Sequence, residues 1–169
     1  MNDQFLSRLV DSYIGEVRDL NLRQHFGAQL DKGKVFKDTA DYLVHTLKRA
    51  LEVADKITDQ SRDTKASLRA QALFQMGRVW YFVSQVDDRS STKYLNEAKT
   101  LFEQSLQSLP AQAACYNLAL CLDALTPGPH VVDAYMQAVK MNPDTDIAIL
   151  AAKKIVSMGG IEKLLGAAV

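Results

Sequence analysis

Apolar residues recur at three- and four-residue steps through almost the whole chain. Phe5, Leu6, Leu9, Val10, Tyr13, Ile14, Val17 and Leu20 make one broad face, which predicts an amphipathic helix over 5–20. Gly27 and Gly33 interrupt the pattern across 26–34. Asp38 is a candidate cap for a second helix striped by Leu43, Leu47, Ala50, Leu51, Ala54 and Ile57. The polar stretch 58–65 reads as a connection. Helices follow at about 66–84 and 93–109, parted by a polar loop at 85–92, then at 112–125, 130–141 and from about 145 to Gly159-Gly160. An apolar tail, 161–169, closes the chain. The β-prone cluster Val79 to Val83 lies inside a helical stripe, so no strand is predicted. The expectation is an all-α fold of about seven or eight antiparallel helices.

The four prolines all fall between 110 and 143, and Pro110, Pro127 and Pro143 stand where helices should stop. Pro110 and Pro143 lie 33 positions apart, a spacing that suggests a repeat. Residues 112–145 carry Leu118, Ala119, Tyr135, Ala138 and Pro143 at the offsets of a tetratricopeptide repeat, and the segment resembles that family's unit of about 34 residues. Residues 70–111 resemble it again through Met76, Gly77, Trp80, Ala98, Phe102 and Pro110. Here Ser105 replaces the usual alanine, and about nine extra residues sit between the two helices. Gly77, Ala98, Ala119 and Ala138 are small where helices would cross, and Leu73, Met76, Trp80, Phe102 and Leu106 would fill the space around them. Residues 1–64 then read as an N-terminal helical pair (a degenerate repeat or a cap) and 146–169 as a capping helix with a tail. The resemblance implies one domain stacked as a short right-handed superhelix.

Composition narrows the function classes. Twenty basic residues balance twenty acidic ones, and the balance holds in both halves, so the chain shows no footprint for nucleic acid or anionic lipid. No apolar run reaches the ~18 residues of a membrane span, and the N-terminus has no signal-peptide pattern. Cys115 and Cys121 fall in apolar runs and would stand about 9 Å apart along one helix, which predicts buried, reduced thiols. A cytoplasmic location is expected.

Candidate chemistry is thin. The stretch from Gly27 to Lys34 fails as a phosphate loop, with five residues between its glycines and Val35 where magnesium needs a hydroxyl. His25, His45 and His130 lack partners at zinc-ligand spacing. Asp87-Asp88 sit in the polar loop, and Asp144 and Asp146 suit a helix start better than acid–base catalysis. Lys32, Lys34 and Lys37 form a small basic cluster flanked by Asp31 and Asp38. No catalytic residue, metal or cofactor is predicted.

In the resembled fold, the first helix of each unit lines a concave groove. The resemblance places Phe74, Arg78 and Tyr81 there, with Gln71 and Phe82. The next unit adds Tyr116, Asn117 and Leu120, with Ala113 and Asp123, and the cap adds Leu150 and Lys154, with Ile147. Aromatics and arginine are the residue types that anchor interfaces. The chaperone-tail clamp known in some members is incomplete: Asn117 matches, but Phe74, Leu120 and Ala151 stand where polar or basic residues belong. The function implied is a non-enzymatic adaptor or chaperone-like module that binds an apolar peptide segment of a partner protein. The alternative is a self-assembling scaffold, a homo-oligomer whose groove is filled by its own or a neighbour's tail.

Overall fold

The computed structural model describes residues 2–27, 34–58, 62–87 and 89–167, and side chains except those of Lys34, Val35, Phe36 and Arg62. Most of those residues are helical, with no strand among them, and the chain divides into two compact units at Leu109/Pro110. The fold is all-α. The glycine-bounded stretch and most of the lysine cluster fall on 27–36, and Asp88 on the polar loop; these lie outside the described side chains.

The first unit holds α1 (Asp3–Arg18), α2 (Leu22–Gly27), α3 (Lys34–Asp55), α4 (Arg62–Val86) and α5 (Ser91–Ser108). Asn2 caps α1 by accepting from the Gln4 amide at 2.9 Å. Leu6, Val10, Ile14 and Val17 bury the predicted stripe of α1 against Leu43, Leu47, Ala50 and Ala54 of α3 and against Leu68, Ala72, Met76, Val79 and Val83 of α4. Helix α4 packs on α1, α2, α3 and α5. It therefore buries residues on most of its circumference. Thr58 clasps the start of α1, donating its hydroxyl to Asp3 Oδ2 at 2.5 Å and its amide to Asp3 Oδ1 at 3.3 Å.

Four boundaries differ from expectation. Residues 22–27 form a short helix that buries Leu22 and Phe26. Helix α3 begins four residues before Asp38, so Asp38 lies inside it and caps nothing. Helix α4 begins at Arg62 within the expected connection. Polar residues are compatible with a solvent-facing first turn: Asp63 meets the dipole there, and Lys65 Nζ reaches back to the carbonyls of Asp55 (3.0 Å), the last residue of α3, and of Ile57 (3.3 Å) just beyond it. The expected long loop before α5 shrinks to 87–90, because the extra residues mostly lengthen the two helices.

Gly77 carries the closest approach in this unit. A Cβ there would lie 2.6 Å from Cε1 and 2.8 Å from Cδ1 of the fully buried Phe102 ring. The absence of a side chain lets α5 press its ring onto the α4 backbone. Ser105, where the pattern expects alanine, donates its buried hydroxyl to the Ala70 carbonyl at 2.8 Å, which satisfies it.

The second unit holds α6 (Gln112–Leu125), α7 (Pro129–Met141), α8 (Asp146–Ser157) and α9 (Ile161–Ala167). Its core is Ala119, Val131, Val132, Tyr135, Met136, Ala138, Ala151 and Ile155. Gln112 joins three elements: its Nε2 donates to the carbonyls of Ala138 and Asn142, both at 2.7 Å, and its Oε1 accepts from the hydroxyl of Thr145, the N-cap of α8, at 2.8 Å. Helix α8 ends in a glycine turn. Gly159 has φ of 77°, and the amides of Gly159 and Gly160 return to the carbonyls of Val156 (3.0 Å) and Ile155 (2.9 Å). A Cβ on Gly160 would meet Ile155 Cγ2 at 2.8 Å and Val132 Cγ1 at 3.0 Å.

The tail, expected as an apolar extension, is helical as far as Ala167. Leu164 packs on the core, and Lys163 Nζ pairs with Asp133 Oδ1 of α7 at 2.7 Å.

Candidate protein-binding faces

The eight groove residues divide between the two units. Phe74, Arg78 and Tyr81 follow each other at i, i+4 and i+7 on α4 and form one stripe, each half-buried. The Phe74 ring tilts against Phe102 at 5.7 Å, and Tyr81 meets Phe82 edge-on at 6.1 Å. Arg78 Nη1 donates to Gln75 Oε1 at 2.6 Å. Burial pulls the guanidinium pKa down from its ordinary value, and no carboxylate among the described residues pairs with it. Phe82 packs on the unit's own core, so it serves stability as well as surface.

In the second unit, Tyr116, Asn117 and Leu120 share one side of α6 and are all half-buried. The Tyr116 ring lies 5.9 Å from that of Tyr135, and partial burial pushes its phenol pKa up. Asn117 turns its Nδ2 back to the Ala113 carbonyl at 2.8 Å, and its Oδ1 has no hydrogen-bond partner among the described residues. On α8, Leu150 is 47% exposed and Lys154 follows one turn later. Lys154 Nζ stands 3.8 Å from Asp123 Oδ2, which also accepts from the Tyr135 hydroxyl at 3.3 Å. That ion pair sets the Leu150–Lys154 stripe beside the C-terminal end of the α6 stripe. The unit thus gathers Tyr116, Leu120, Leu150 and Lys154 onto neighbouring helices. The pairing of Lys154 with Asp123 was legible only as two separate face positions.

As far as Ala167 the tail does not run along this stripe. Through Lys163 on Asp133 it lies beside α7, near Met136, Gln137 and Lys140.

The thiols are quiet. Cys121 is buried and its pKa is pushed up to about 12 by desolvation. Cys115 is only half-buried, unlike the expectation. Its Sγ lies 3.3 Å from Met141 Sδ, and burial raises its pKa too. Among the described residues no three histidine, cysteine, aspartate or glutamate side chains converge to hold a metal. No helix among them is long and apolar enough to cross a membrane.

Protein-family models, curated proteins and solved structures give no match to this chain.

Proposed function

We propose that the chain is a non-enzymatic protein-interaction module of tetratricopeptide-like design, an adaptor or chaperone-like protein of the cytoplasm. It holds an apolar peptide segment of a partner protein against the α6–α8 face. One observation carries this proposal: Tyr116 and Leu120 stay partly open to solvent on α6 and Leu150 is exposed on the adjacent α8, framed by the Asn117 amide oxygen and the Lys154 ammonium. Partly exposed aromatic and aliphatic anchors with polar groups at the edge are the anatomy of a protein interface. The α4 stripe of Phe74, Arg78 and Tyr81 offers the first unit a second surface of the same kind. The docking of the tail on α7 supports an occupant from another protein over the chain's own C-terminus. The two unpaired thiols support a reducing compartment.

Affinity capture from the native lysate tests the proposal, comparing wild type with Tyr116→Glu and with Leu150→Glu. Leu150 is exposed enough for the second change to spare the fold, which circular dichroism checks. A protein retained by wild type and lost from both variants supports the proposal. Retention of the same set by all three refutes it, and a wild-type mass that rises with concentration and falls in both variants favours self-assembly.

A further inference from the structure

A cavity of about 430 Å³ opens on the first unit where α3, α4 and α5 meet. That volume lies within the range of small-molecule sites, roughly 300–1,000 Å³. Its floor is the hydrophobic core itself: Val44, Met76 and Leu101 are each more than nine-tenths buried yet reach it. One wall is aromatic. Trp80 stacks on Tyr94 with ring centroids 5.3 Å apart and planes 5° from parallel, and Trp80 is only half-buried.

The rim is cationic. Lys37 and Lys48 rise from α3 and Lys93 from α5, and none of the three ammonium groups forms an ion pair or hydrogen bond with a described residue. Two acids, Asp41 and Glu97, share the rim without neutralising it. Each stands four residues after a lysine on its own helix, the weaker order for such a pair. The rim therefore keeps three cations against two anions above an apolar floor.

We propose that this cavity binds a small anion with a flat aromatic body. The body lies against the Trp80–Tyr94 wall and on the Val44–Met76–Leu101 floor, and the anionic group meets the lysine rim. The site is independent of the peptide-binding proposal. At about 100° per residue, Met76 and Trp80 point to the side of α4 nearly opposite Phe74, Arg78 and Tyr81.

The chain contains a single tryptophan, and it is Trp80, so its emission reports this wall alone. The test titrates the full chain with 8-anilinonaphthalene-1-sulfonate and, separately, with the uncharged N-phenyl-1-naphthylamine. The expected result is saturable one-to-one quenching of Trp80 by the sulfonate, with energy transfer to the probe. Binding should weaken about tenfold or more in the Lys48→Glu/Lys93→Glu variant and weaken with added salt, while the uncharged probe changes less than about threefold. Both lysines are exposed, and a Lys48→Met/Lys93→Met variant, which adds no acid, should give an intermediate loss. Equal affinity of the two probes overturns the proposal. So does sulfonate binding that ignores the lysine changes, binding that leaves Trp80 emission untouched, or no binding at all.

Discussion

Replacing Gly77 by alanine sets two effects of opposite sign against each other. Glycine inside a helix is worse than alanine by about 1 kcal/mol, so the change should stabilise α4 if space allowed. Space does not allow it. The new methyl would sit 2.6, 2.8 and 2.9 Å from three atoms of the Phe102 ring, which has no exposed surface into which to swing. Overpacking of this kind costs roughly 1–3 kcal/mol, so the net expectation is a loss of about 0–2 kcal/mol. Phe102→Ala removes all three clashing atoms, at a cost of roughly 3–5 kcal/mol. In that background Gly77→Ala should stabilise by about 1 kcal/mol, and the coupling between the sites should be about 1–3 kcal/mol. Urea unfolding followed by Trp80 emission is the suitable assay, because the only tryptophan belongs to the first unit and the chain need not unfold in one step. A Gly77→Ala protein with a raised midpoint in the wild-type background, or an equal effect in both backgrounds, would refute the close-approach argument.

Two further outcomes follow from ionisation. Lys163 holds the Asp133 carboxyl below its ordinary pKa by hydrogen bond and charge. A depressed carboxylate pKa contributes stability above the unfolded value near 4 and loses it as pH falls through the folded value. Docking of α9 should therefore weaken below about pH 4, seen as a shift of the Leu164 methyl resonances, and Lys163→Met should abolish that pH response. The thiols give the second. At pH 8 an aromatic disulfide reagent should label Cys115 more slowly than free cysteine and Cys121 only after denaturation; two fast equivalents would contradict the raised pKa values.

Helices α1 and α3 were legible because each buries one stripe at helical spacing. Leu6, Val10, Ile14 and Val17 could be read without any knowledge of their neighbours, whereas the α4 and α6 stripes of the candidate faces were placed by the resemblance alone. Gly77 and Phe102 were legible as a small residue and a large one at a crossing, and the structure puts them in contact. The helix α9 was not legible. Its apolar residues mostly stay exposed, and its docking depends on Leu164 and on an ion pair 30 positions away. Gln112 was missed for a similar reason: a glutamine early in a helix carries no local signal, and its three partners lie 26, 30 and 33 residues downstream. Trp80 was read only as core filling. Its wall with Tyr94 arises where the extra residues lengthen α4 and α5, which brings positions on the two helices level with each other.

The clasp of Thr58 on Asp3 bears on the order in which the first unit assembles. It closes a span of 55 residues, the longest of its hydrogen bonds between described side chains, whereas α4 and α5 are joined by only 87–90. Loop closure costs about 0.6 kcal/mol more for each doubling of length, so the clasp begins with a handicap of about 2 kcal/mol against the α4–α5 hairpin. The hairpin can form as soon as both of its helices exist, whereas α1 gains its contacts only once α3 and α4 offer it a surface. Helix α1 thus precedes its partners in the chain and is among the last elements of the unit to find its place.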